Sequence, residues 1–329
     1  MSLRFGPDAV DLRDVSLRDG LQLTGKLLPT ERKADLVRAL LALGVPTLEV
    51  GSMARGDLVP PMANTPDLLG ALTPGELARC WVWVATPRHV ARAADLGATL
   101  FQYCLSVSTA HNEANLGRST SAGLDSVAAA VELARAVGGE AQLCLATSFT
   151  CPFTGPVDPG EVLRIVTDER TAGTTDIVLC DTLGQAQPAQ VRELFAEVAA
   201  AAPGRRLGYH GHDTWGMGVA NTLAAIEAGA TMVDGALGGL GGCPFAPGAS
   251  GNTATEDLAF ALTPSWLDPE SFKDLVRLGA ELLSDVDERN RSRAAQGARS
   301  KTTVFPWAVA APAAGSDGQR PGVDISGVA

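Results

Sequence analysis

Short apolar or β-branched runs alternate with amphipathic stretches about eight times along the chain. The runs fall at 14–18, 47–51, 81–85, 100–106, 140–147, 176–179, 206–210 and 232–236. Near-continuous apolar character marks strands buried on both faces, as in a parallel sheet covered by helices. Between them, 30–43, 122–137, 158–172, 187–201 and 218–228 carry helical periodicity, with Gly44, Gly138, Gly173 and Gly229 placed to cap C-termini. Eight βα units in roughly 250 residues predict the α/β class and a (β/α)8 TIM barrel. A doubly wound open sheet is the alternative, but no GxGxxG follows the first run. Residues 268–284 read as one further helix, 285–293 as a solvated charged connector, and Val304-Phe305-Pro306-Trp307 as an apolar staple before a tail rich in Ala, Gly and Pro. The expected organisation is therefore a barrel domain over 1–267, with 268–329 a C-terminal helix and tail of the same domain.

Composition changes this picture little. The chain has 329 residues and 46% hydrophobic content, ample for a core, and no uninterrupted apolar run long enough to span a bilayer. Its first twenty residues carry Arg4, Asp8, Asp11, Arg13 and Asp14, unlike a secretory or transit segment, so a cytoplasmic location without membrane is expected. Six cysteines without CxxC spacing read as reduced thiols, mostly in the core. A net charge of −11 disfavours nucleic acid and anionic membranes as partners.

Candidate chemistry lies where strands end in residues a core does not tolerate, because TIM barrels build their sites from those ends. The first run leads into Ser16-Leu17-Arg18-Asp19-Gly20-Leu21-Gln22, the second carries Glu49, the sixth leads into Cys180-Asp181-Thr182, the seventh into His210 and His212, and the eighth towards Cys243. Arg18 with Glu49 reads either as a structural ion pair or as a guanidinium oriented to hold an enolate oxygen. His210 and His212, two apart on a strand, share a face and with Asp19 and the amide of Asn252 make an oxygen-rich divalent-ion site. Mg2+ or Mn2+ suits such a set better than Zn2+. Cys243 stands in Gly238-Gly239-Leu240-Gly241-Gly242-Cys243-Pro244, a mobile loop on which a thiol is either a small hydrophobe or a proton donor. His111 and Cys151 read mainly as core, and Glu256 and Asp257 as helix-start caps. Asp213 either orients an imidazole or caps a loop, while Asp181 is the better candidate to bond His210 or a substrate hydroxyl.

Three segments carry a resemblance. They are Val15-Ser-Leu-Arg18-Asp19-Gly20-Leu21-Gln22, His210-Gly-His212-Asp213-Thr214-Trp-Gly with Ala220-Asn221-Thr222, and Gly239-Leu-Gly-Gly-Cys243-Pro-Phe with Gly248-Ala-Ser-Gly-Asn252-Thr-Ala-Thr-Glu-Asp. Through them, residues 13–262 resemble hydroxymethylglutaryl-CoA lyases among the DRE-TIM metallolyases. The resemblance implies a catalytic Arg18 and Glu49, a divalent metal on Asp19, His210, His212 and Asn252, and catalysis by Cys243. It implies cleavage of a 3-hydroxyacyl-CoA, with hydroxymethylglutaryl-CoA leading, a different 3-hydroxyacyl-CoA or an aldolase or condensing synthase as alternatives, and a silent metal-binding barrel as the non-enzyme reading. Condensing relatives usually read Arg-Asp-Gly-Glu-Gln and lack the Gly-Gly-Cys-Pro loop. On this reading Asp181 and His210 are the candidate bases, while Arg18, Gln22, Thr182 and Arg118 hold substrate. CoA recognition rests on the resemblance and on local arginines such as Arg55 and Arg118, and a homodimer is expected. Departures at Leu23-Thr24-Gly25-Lys26, across 54–62 and across 114–119 point to an altered acyl pocket.

Overall fold

A computed structural model describes residues 9–245 and 248–300. Eight parallel strands close into a barrel: β1 (Asp11–Asp14), β2 (Thr47–Ser52), β3 (Cys80–Val84), β4 (Leu100–Ser106), β5 (Glu140–Ala146), β6 (Asp176–Asp181), β7 (Arg206–Gly211) and β8 (Ala230–Gly235). Neighbours in sequence are neighbours in the sheet, and β1 pairs with both β2 and β8 to complete the ring. The predicted (β/α)8 fold is the observed one.

Helices Thr30–Leu43, Pro188–Ala201 and Gly218–Glu227 stand where the periodicity put them, and Gly44 at φ 106° ends the first. Two expected helices break. The 122–137 stretch divides into Thr120–Leu124 and Val127–Ala136, and 158–172 becomes Pro159–Val166 followed by a 3-10 turn, Glu169–Thr171, capped by the Asp168 side chain. The second break follows local polar capping that periodicity does not register.

The first strand differs more. It ends at Asp14 rather than running through 14–18, and Ser16–Gly20 forms a π-helical turn in which Gly20 and Leu21 donate to the carbonyls five residues back. Such a turn swings Arg18 and Asp19 over the barrel mouth, which a continued strand would not do. Inside the barrel, the fully buried Arg13 donates through Nε and Nη2 to Asp234 at 2.8 Å each and through Nη1 to Gln142 at 2.5 Å.

At the C-terminal end, helix Pro269–Val286 buries Phe272, Leu275, Leu278, Leu282 and Leu283 against the 3-10 turn Leu237–Gly239 and helix Thr30–Leu43. The connector after it exposes Asp285, Asp287, Arg289 and Arg293, as expected, and is also tied to the fold. Arg291 donates its amide to Gly238, and Ser292 hydrogen-bonds Asp257. The Val304–Trp307 staple lies outside the described residues. Among the described residues no helix is long and apolar enough to cross a membrane.

Candidate active site

A cavity of about 630 Å3 opens at the C-terminal ends of the strands. Arg18, Asp19, Gln22, Thr182, His210 and His212 line it, and Arg118 and Cys243 join them. The π-turn delivers Asp19, β7 delivers His210, and His212 stands just past the strand, bridged backbone to backbone with Asn252. One ligand atom from each of Asp19, His210 and His212 lies within 4.8 Å of the others. Asp19 Oδ2 is 3.4 Å from His212 Nε2, 3.9 Å from His210 Nε2, and accepts from Asn252 Nδ2 at 2.9 Å.

Two buried polar atoms here have no protein partner: Asn252 Oδ1 and His212 Nδ1. A buried orphan carbonyl oxygen beside a carboxylate and two imidazoles is a costly arrangement without a ligand. The donors are oxygen and nitrogen, with no thiol in the cluster, so they fit a hard divalent cation. Burial alone would raise the Asp19 carboxyl, but Arg18, His212 and His210 outweigh it and hold the group well below the ordinary range.

Arg18 Nε donates to the fully buried Glu49 at 2.5 Å, and Nη1 donates to Asp19 at 2.5 Å. The ion pair with Glu49 thus fixes the direction of a guanidinium that lines the cavity. Burial pushes the Glu49 carboxyl up despite Arg18 and Arg13.

Several expected contacts differ. Asp181 does not bond His210; its carboxylate accepts the amides of Gln185 and Ala186 at 3.1 and 3.0 Å and shapes the turn that presents Thr182. The partner of His210 is Asp234 on β8, 3.0 Å from Nδ1, the same carboxylate that Arg13 grips. Asp234 escaped the sequence reading, although a lone acid inside the apolar run 232–236 was its signal. Asp213 caps the start of helix Gly218–Glu227 through the Gly218 amide. Glu256 is not a simple helix-start cap: it is fully buried, both its oxygens accept the Gly238 amide, and burial pushes it up to about 8. Asp257 holds Ser292 and the amides of Arg293 and Ala294.

Also lining the cavity, Arg118 donates to the Ala85 carbonyl and, at 3.1 Å, to Tyr103 Oη, while its buried Nε has no partner. His111 lines the cavity, bonds Ser106 Oγ at 2.7 Å and meets the Phe245 ring edge-on at 5.0 Å. Burial pulls its pKa down to about 4, so it is neutral at ordinary pH. Cys151 instead bonds Ser108 in the short hairpin Thr150–Cys151 and Gly155–Pro156, away from the cavity lining.

Comparison with known proteins meets this geometry. The (R)-citramalyl-CoA lyase of Chloroflexus aurantiacus is 36% identical over 261 residues, 76% of this chain and 82% of the relative. The hydroxymethylglutaryl-CoA lyase of Bacillus subtilis is 32% identical over 256 residues, covering 78% and 86%. An HMG-CoA lyase from Acinetobacter baumannii, solved with coenzyme A and 3-methylmalate, superposes with a TM-score of 0.82 at 32% identity over 93% of this chain and 99% of its own. Because the family profile matches residues 9–278, nearly the whole described chain, the protein belongs to the HMGL-like family.

Proposed function

We propose that this protein is a divalent-metal-dependent retro-Claisen lyase that cleaves a 3-hydroxy-3-methylacyl-CoA into acetyl-CoA and a keto acid, with hydroxymethylglutaryl-CoA as the leading substrate. The carrying observation is the Asp19, His210, His212 and Asn252 set facing the same cavity as Arg18 and Cys243. Its coarser part stands on kinship: the chain is a lyase of this family.

Asp19, His210, His212 and Asn252 would hold Mg2+ or Mn2+, which supplies acidification of the C3 hydroxyl. His210, with Nδ1 on Asp234 and Nε2 turned to the cation, keeps no lone pair for that proton, and Asp181 does not line the cavity, so the proton passes to solvent. As the C2–C3 bond breaks, its electron pair moves into a thioester enolate. Arg18, aimed by Glu49, donates hydrogen bonds to that developing oxyanion. Cys243 Sγ, on the glycine loop, then delivers a proton to C2 and completes acetyl-CoA. Gln22, Thr182 and Arg118 line the cavity, where the first two would contact the acyl group and Arg118 the CoA portion.

A second substrate has a specific observation behind it, the 36% identity to the Chloroflexus citramalyl-CoA lyase. Both acyl chains carry a tertiary hydroxyl with a methyl group and a carboxylate, and both release acetyl-CoA. The deciding experiment incubates metal-loaded protein with each thioester and measures acetyl-CoA with acetoacetate or pyruvate, with and without chelator. Metal-dependent acetoacetate supports the leading substrate and pyruvate the second. Release of neither, from protein shown to bind Mn2+, overturns this substrate class.

A further inference from the structure

Three thiols line the cavity wall and take no part in the chemistry above. Cys104, Cys144 and Cys180 come from the adjacent strands β4, β5 and β6, all buried and none in a disulfide. Cys104 and Cys144 are register partners, and the Sγ atoms of Cys144 and Cys180 lie 3.4 Å apart. Their surroundings are Ala146, Val178, Met232 and the half-buried Trp83. Arg18 and His210 line the same cavity.

We propose that Cys144 and Cys180, with Cys104 beside them, form a dithiol site on the wall of the catalytic cavity whose ligand class is the trivalent arsenical, bound through both sulfurs across the substrate position. The spacing favours one bridging atom. In a tetrahedral thiolate site with metal–sulfur bonds of about 2.3 Å the sulfurs stand roughly 3.8 Å apart, close to the separation here. A direct disulfide, at about 2 Å, would require the two sulfurs to close by more than an ångström between strands of a sealed barrel. Charge favours the same ligand. At Cys144 the hydrogen bond with Cys104 lowers the thiol pKa, but the one with Cys180 and burial outweigh it. At Cys180 the hydrogen bond with Cys144 lowers it against burial, and the net is again upward. Both thiols therefore stay protonated, and a neutral arsenic dithiolate brings no charge into an apolar wall. In the step, an arsenoxide R–As=O meets two thiols; two S–H bonds and the As=O bond break, two As–S bonds form, and the oxygen leaves as water with both protons. No atom changes oxidation state. The hard-cation cluster contains no thiol, so the two sites differ in ligand chemistry while sharing one cavity.

The test mixes metal-loaded protein with equimolar phenylarsine oxide and reads intact mass, then counts thiols after denaturation. One adduct and the loss of two of the six thiols are expected, reversed by a dithiol but not by a matched monothiol. Cys144→Ala should lower adduct formation at least tenfold, with Cys180→Ala as a second variant if the first does not fold by circular dichroism. Cys151→Ala should leave the adduct intact. Absence of an adduct in wild type, or an adduct that survives in folded Cys144→Ala, overturns the proposal. Since mass is read without turnover, its failure is separable from failure of the lyase reading.

Discussion

Arg18 and His210 show how residue identity and residue context divide the work. Arg18 and its partner Glu49 were readable at the strand ends, and the structure adds Asp19 as the second carboxylate on the guanidinium. Substituting Arg18→Ala should lower kcat by about a hundredfold or more with less change in KM, measured by steady-state kinetics on the true substrate. Near-normal turnover would remove Arg18 from its role at the oxyanion. His210 was readable as a ligand, whereas its partner Asp234 was not singled out. A carboxylate on Nδ1 fixes the ring orientation and leaves Nε2 for the cation. Asp234→Asn should therefore weaken Mn2+ binding about 10–100-fold by titration. It should also lower Tm, because Arg13 loses its buried counter-charge, a change worth about 3–5 kcal/mol. Unchanged metal affinity with a lowered Tm would leave Asp234 a purely structural partner of Arg13.

Among the elements, strands were legible and turns were not. β4 and β5 are buried along nearly their whole length, so their apolar runs announce them. The π-turn at Ser16–Gly20 depends on hydrogen bonds to residues five back, and no local pattern announces that choice over a longer strand. Glycines in the loop after β8 were readable as permissive, but not for which contact. At Gly241, φ is +120°, and an added Cβ would stand 2.5 Å from Asn252 Nδ2. Gly241→Ala should thus displace the Asn252 amide and weaken Mn2+ binding about tenfold or more, with circular dichroism unchanged. Full affinity in that variant would mean that Asn252 contributes nothing to the cation.

Across the whole molecule, the C-terminal helix, the glycine loop and the first-strand turn form one braced unit, with Glu256 at its centre under Gly238 and Ser16 Oγ accepting the Leu237 amide. Glu256 has an ordinary value of 4.5 and is held at about 8 in the fold, so the native state binds its proton more tightly than the unfolded chain does. Its stabilisation is complete below about pH 4.5 and is lost as pH rises towards 8. Between pH 6.5 and 8, above the range where His111 titrates, Tm of the metal-loaded wild type should fall more steeply than that of Glu256→Gln, the difference corresponding to about 1.5 kcal/mol. Equal slopes would mean that the carboxyl is already ionised in the fold. By itself the sequence determined the number and type of the barrel units, and it named Arg18, Asp19, Gln22, Arg118, Thr182, His210, His212 and Cys243 among the side chains that line the cavity, because burial period and strand-end polarity are properties of short segments. Only the tertiary structure decided which partners those side chains meet. Arg13 and Asp234 are 221 residues apart and touch only because β1 closes on β8, and Cys144 meets Cys180 only through the pairing of β5 with β6. Closure of the ring is a global event, and a pattern read a few residues at a time holds no record of it.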